Sequence, residues 1–152
     1  MSTLYLDCVS GISGDMTVGA LLDLGADPDA LLAGLAGLGL AGWKADARRG
    51  MKGVLAGTAF RVQLDPAFED RERSWPDIQA LIAGSGLPPE VQRLALAAFG
   101  YLAEAEGAVH GTPPEQVHFH EVGAVDSIVD ILGAAICLHQ LAPDRVVVSP
   151  IP

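Results

Sequence analysis

Leu4-Tyr5-Leu6-Asp7-Cys8-Val9-Ser10-Gly11-Ile12-Ser13-Gly14-Asp15-Met16 is the stretch that decides the fold class. A short apolar run ends in Asp7-Cys8, a glycine-flexible turn follows, and from Asp15 a helical pattern continues to about Leu24. Strand, tight loop and helix in that order open an α/β unit. Working outward, Pro28 at a first-turn position and leucines 31, 32, 35 and 38 predict a second short helix, ended by Gly39 to Gly42. Trp43 to Arg49 and Val54 to Leu64 alternate in part, which predicts a hairpin around Gly50 to Gly53.

Asp65 to Arg73 is the most charged and least periodic segment and reads as a linker or mobile loop, a poor place to fix ligands. Ser74 is placed to cap a helix with Pro76 in its first turn and Ile78, Leu81 and Ile82 on one face. Pro88-Pro89 starts a longer helix to about Val109, Gly111 to Glu115 is a loop, and His118 to Glu121 is short and extended. Ala124 to Leu141 is a strongly apolar helix, and Arg145 to Ser149 is the last strand. The series predicts an α/β fold, a mixed sheet of about four strands covered by helices in a single domain, with the strand order left open. Ser149-Pro150-Ile151-Pro152 follows a buried-looking strand without a solvating tail, so we expect a truncated piece of a longer natural chain.

Composition narrows the function. Half of the 152 residues are hydrophobic and 18% are charged, far from the signature of a disordered chain. The longest apolar stretch, Ala30 to Trp43, is broken by four glycines and is shorter than the roughly 20 residues of a membrane span. Met1 to Tyr5 lacks a basic region before its apolar run, so no secretory signal is read and the expected location is cytoplasmic. Cys8 and Cys137 lie in unlike contexts and form neither a disulfide framework nor a CxxC zinc motif. A formal charge of -10 disfavours nucleic acid as a partner and suits a metal cation.

The candidate chemistry lies in two places. His118 and His120 stand at i and i+2, which puts both imidazoles on one side of an extended segment but on opposite sides of a helix. Imidazole suits nickel, zinc, copper and iron alike, and the alternative is a pair that only caps the following helix. From Val122 to Leu138 the sole polar side chains are Asp126, Ser127 and Asp130, and the two acids share a helix face at i, i+4. Two like charges on a largely buried helix are costly unless cations, ligands or donors satisfy them. The alternative is structural: Asp126 favours the helix N-terminus, and Asp130 meets a core arginine or backbone donors.

The second place is the loop after the first strand. Ser10, Gly11, Ser13, Gly14 and Asp15 form a strand-to-helix turn of the kind that offers backbone N–H groups to an anion. No Lys-Ser/Thr follows the glycines, so it is not a Walker A loop, and Asp15 is either the helix cap or the holder of a cation that bridges to phosphate. Cys8 is a soft ligand if exposed and a small hydrophobe if buried, while Cys137 belongs in the core. His139 suits its helix C-terminus, His110 suits a loop, and Arg48, Arg49 and Lys52 form the one basic cluster. No nucleophile triad is present, so no catalytic residue is assigned.

The stretch from Leu4 to Met16 and the stretch His118-Phe119-His120-Glu121-Val122-Gly123-Ala124-Val125-Asp126-Ser127-Ile128-Val129-Asp130-Ile131 closely resemble the two signature segments of LarC-type nickel-insertion proteins. Ala105 to Gly111 and Val146 to Pro150 also fit, so the resemblance to that family's N-terminal region covers nearly the whole chain. It implies insertion of nickel into a sulfur-bearing pyridinium mononucleotide, forming nickel to carbon and nickel to sulfur bonds. The product would be the nickel-pincer nucleotide used by lactate racemase and related enzymes, and the class that of a nickel chelatase, a lyase. The resemblance also implies CTP hydrolysis with a divalent cation in a C-terminal part outside this chain, so the fragment is not expected to act alone. Many relatives carry a histidine-rich run ahead of the segment matching Ser74 to Leu81, whereas Phe68 to Trp75 holds no histidine, which argues against nickel storage there.

The metal ligands we expect are therefore His118, His120, Glu121, Asp126 and Asp130, with Asp7, Cys8 and Asp15 contributing from the N-terminal loop. Two other readings remain: a non-catalytic nickel chaperone or assembly module, and a metal-dependent hydrolase in which His and Asp ligands activate water. Apolar helices with few charges also hint at a homo-oligomer.

Overall fold

The computed structural model describes residues 1–68, 72–119 and 123–151. Its elements run β1 (Thr3–Leu6), α1 (Gly14–Asp23), α2 (Pro28–Ala36), β2 (Trp43–Lys52), β3 (Leu55–Leu64) and β4 (Arg73–Ser74), then α3 (Trp75–Ala83), α4 (Pro89–His110), β5 (His118–Phe119), α5 (Val125–Leu141) and β6 (Arg145–Val148). A single 3₁₀ turn, Pro114–Gln116, precedes β5. The α/β class is as the sequence predicts.

The sheet is not. In place of one mixed sheet of about four strands, the described residues form three two-stranded pairs: β1 parallel to β6, β2 antiparallel to β3, and β4 antiparallel to β5. Period-two patterning marks a strand but says nothing of which strands share an edge. The β2–β3 ribbon packs against α1 and α5 rather than pairing with β1, and β4 and β5 are two residues long. The hairpin is also tighter than its glycines suggest. Pairing continues to Lys52 opposite Leu55, and only Gly53 and Val54 make the turn, with Gly53 at φ +64°.

Side-chain caps account for two of the helix starts. Asp27 caps α2 by accepting from the Asp29 N–H at 2.9 Å, with Pro28 behind it in the first turn. Ser74 and Asp77 make a reciprocal capping box on α3. The segment between Asp65 and Arg73 departs from the linker reading at its end, because Arg73 is only 7% exposed and pairs in β4 opposite Phe119.

The core gathers around α5. Its Val125, Ile128, Val129, Leu132, Ile136 and Cys137 are buried, and α1, α2, α4 and β3 all pack against it. Burial pushes the Cys137 thiol up to about 11, so it stays protonated and behaves as a small hydrophobe. Phe99 of α4 meets Phe119 of β5 with ring centroids 6.1 Å apart and tilted by 59°, which anchors the short β5 strand to the helical layer.

Helix α1 crosses β3 at Gly19, where a Cβ would collide with the Thr58 carbonyl oxygen. One turn on, the Asp23 carboxylate accepts from the Thr58 N–H at 2.9 Å and its hydroxyl at 2.7 Å, bonds that hold its pKa below the ordinary value. Replacing Gly19 by Ala should therefore lower stability by about 1–3 kcal/mol through overpacking against rigid backbone. Gly100→Ala, in α4 with open space around it, should instead be neutral or raise stability by up to about 1 kcal/mol. Urea midpoints of the two variants check this, and equal effects would contradict the close approach of α1 to β3.

Candidate functional site

The loop after β1 turns tightly, with the Gly11 N–H bonded to the Cys8 carbonyl at 3.0 Å and Gly11 itself at φ +81°. Ser13 is extended and occupies the N-cap position of α1, but its side chain makes no capping bond to the helix backbone. Its hydroxyl donates to the Asp15 carboxylate, which also accepts from the Met16 N–H at 2.8 Å. Asp15 thus lies in the first turn of α1 and is not its cap, which leaves its exposed carboxylate facing solvent beside the loop.

Gly14 is where the start of α1 touches α5. A Cβ at this position would stand 2.5 Å from the Asp130 Cβ and 2.7 Å from a carboxylate oxygen, so only glycine lets the two helices approach this closely. Asp130 is half-buried, four residues beyond the exposed Asp126. Its Oδ1 is buried and has no hydrogen-bond partner among the described residues, while the Asp15 main chain provides a backbone hydrogen bond to the carboxyl group. Burial first, then the charges of Asp15 and Asp126, push the Asp130 pKa up to about 6, and the Asp15 backbone bond offsets part of this. Beside it opens a cleft of about 270 Å³, lined by Gly14, Thr17 and Asp130 and otherwise by apolar residues such as Leu94, Ala98 and Leu138.

Asp126 sits in the first turn of α5, where a carboxylate favours the N-terminal dipole, and accepts from the Ser127 N–H at 2.7 Å. Asp15 and Asp126 thus both act electrostatically on Asp130, the residue that lies against Gly14. Of the other expected ligands, His118 is exposed on β5 opposite Ser74, Asp7 is exposed, and Cys8 is 2% exposed, its N–H donating to the Ser149 Oγ at 2.8 Å. Ser10 is exposed at the loop surface. His120 and Glu121 lie outside the described residues. Among the described residues no three His, Cys, Asp or Glu side chains gather closely enough to hold a metal ion.

Sequence reasoning missed Arg73. Its guanidinium is buried and donates to the Gly123 carbonyl at 2.6 Å, fastening β4 to the chain just ahead of α5. Gly123 is needed there, since a Cβ would meet the Phe119 carbonyl oxygen at 2.7 Å. Nothing in the charged segment that ends in Arg73 marks it out. The one available sign is that it directly precedes the capping serine, Ser74.

Because the folded-state pKa of Asp130 is raised, the native protein holds a proton that the unfolded chain releases between about pH 4 and pH 6. The associated stability is present below pH 4 and lost as the pH rises through about 6. Asp130→Asn removes this dependence, so the variant should melt higher than the parent at pH 7.5 and converge with it near pH 3.5. Melting temperatures across that range check the sign, and a variant that follows the parent at every pH would show that Asp130 carries no such penalty.

The nickel insertion protein family model matches residues 4–152. A pyridinium-3,5-bisthiocarboxylic acid mononucleotide nickel insertion protein from Desulfitobacterium hafniense is 47% identical over 151 residues, covering 99% of this chain and 37% of the relative. A protein of the same name from Akkermansia muciniphila is 46% identical over 158 aligned residues, covering 99% of this chain and 39% of its own length. A relative from Citrifermentans bemidjiense is 48% identical over 152 residues, all of this chain and 39% of the relative. The chain thus spans less than two fifths of the length of these curated relatives. No solved structure matches it. With the whole of the sequence from Leu4 onward matched, and both signature segments inside that match, the chain belongs to the nickel insertion protein family.

Proposed function

We propose that this chain is the nickel-handling part of a protein that inserts nickel into pyridinium-3,5-bisthiocarboxylic acid mononucleotide. The observation that carries the reading is the Asp130 carboxylate, one oxygen of it buried without a hydrogen-bond partner among the described residues, wedged against Gly14 and repelled by Asp15 and Asp126. Such a group is costly as it stands and is satisfied by an incoming cation. Nickel is the substrate metal in this reading. The carboxylates of Asp126 and Asp130, the imidazoles of His118 and His120, and Glu121 form the donor set, with Asp7, Cys8 and Asp15 as neighbours from the β1 loop. Imidazole with carboxylate is a donor set compatible with divalent nickel.

In the same reading the turn of Ser10, Gly11, Ser13 and Gly14 receives the substrate's phosphate through main-chain N–H groups and serine hydroxyls, with the positive end of α1 behind it. Asp15 then disfavours a bare phosphate and favours one accompanied by a cation. Formation of the nickel to carbon and nickel to sulfur bonds belongs to the complete protein, as does CTP hydrolysis with its divalent cation. The product is the nickel-pincer nucleotide of lactate racemase and related enzymes, which makes the complete protein a chelatase of the lyase class acting in the cytoplasm.

Calorimetric titration of nickel at pH 7.5 tests the proposal. His118→Ala/His120→Ala and Asp126→Asn/Asp130→Asn, each checked for folding by circular dichroism, should each bind nickel on the order of 10–100-fold more weakly than the parent chain. Unchanged binding in both variants would place the nickel seat elsewhere.

A further inference from the structure

Among the described residues, strand β1 has a neighbouring strand on one side only. The Ser2 and Leu6 carbonyls accept from the N–H groups of Arg145 and Ser149 at 3.2 and 2.9 Å, and the Cys8 N–H donates to Ser149 at 2.8 Å. Main-chain groups at even positions therefore face β6. Those of Thr3, Tyr5 and Asp7 face the opposite way, where no strand lies among the described residues.

A groove of about 460 Å³ runs along that side, and four consecutive residues, Leu4 to Asp7, line it. Side chains of successive strand residues point to opposite faces, so a groove touching all four follows the strand's edge and not a face. Its far wall is α1, which contributes Met16, Ala20 and Leu21, with Leu24 just past the helix end. Tyr5, Met16 and Leu24 are each about 60% exposed and give the groove an apolar lining. Isolated parallel pairs are rare because parallel sheets are normally buried and larger, and natural edge strands are blunted by Lys, Pro or a bulge. Thr3-Leu4-Tyr5-Leu6 carries neither a charge nor a proline.

We propose that an extended segment from the remaining length of the family's polypeptide adds to β1 as a third strand, bonding to the main chain of Thr3, Tyr5 and Asp7 and filling the groove. The occupant follows from length and charge. Relatives carry more than three fifths of their sequence outside the region matched here, and a second copy would bring another chain of formal charge -10 against the first. Because Asp7, Gly11 and Ile12 also line the groove, the added strand would stand beside the loop that leads to Gly14 and Asp15. The proposal does not depend on the nickel reading.

Amide hydrogen exchange tests it, comparing this chain with the full-length Desulfitobacterium hafniense relative. In the 152-residue chain the amides of Leu4 and Leu6 should be protected and those of Tyr5 and Asp7 open, at every protein concentration. In the full-length relative the amides of the matching strand should be protected on both edges, the outward ones slowed on the order of 100-fold. Alternating protection that persists in the full-length protein would overturn the proposal. Protection of Tyr5 and Asp7 that grows with concentration in this chain alone would overturn it in favour of a second copy.

Discussion

Everything in this chain is arranged around the burial of α5, an apolar helix that carries carboxylates at Asp126 and Asp130 on the side that receives the first loop. Its burial demands packing from several directions, supplied by α1, α2, α4 and β3. Close approach is permitted by glycines at the crossings: Gly14 against Asp130, Gly133 against Val18, and Gly19 against Thr58. Position of the β1 loop is thus a consequence of core packing. A helix that must sit flush on α5 brings its own N-terminus, and the loop ahead of it, onto the acidic face.

That placement gives the site its electrostatics. Asp130 is held where water is partly excluded, one oxygen has no hydrogen-bond partner among the described residues, and the charges of Asp15 and Asp126 acting on it are of the same sign. The protein accepts a locally unfavourable arrangement that core burial elsewhere outweighs, a pattern typical of sites built to receive a ligand. The loop adds main-chain donors and hydroxyls on the other side of Gly14. A cation and an anionic nucleotide could each find complementary groups within the same short span of chain.

Much of this was legible in the sequence because it rests on local rules. The strand, loop and helix of Leu4 to Leu24, the proline-started helices at Pro28 and Pro89, and the Ser74 cap depend on neighbours a few residues away. The i, i+4 spacing of Asp126 and Asp130 on an apolar helix already marked a charge in need of a partner. Strand pairing was not legible, since β1 pairs with a strand about 140 residues later and nothing in either strand's pattern names the other. Arg73 was misread for a related reason: its charge suggested solvent, whereas its partner, the Gly123 carbonyl, lies 50 residues away. The contact of Gly14 with Asp130 is likewise long-range, and a glycine at a helix start reads equally well as loop flexibility.

In the proposed reading nickel is received where the β1 loop meets the start of α5. Crystals of this chain soaked in a nickel salt, with anomalous diffraction collected at the nickel absorption edge, measure this directly. A single strong peak is expected beside the carboxylates of Asp126 and Asp130. A peak on another face, such as at His139 or between His110 and Glu106, with none beside Asp130, would contradict it.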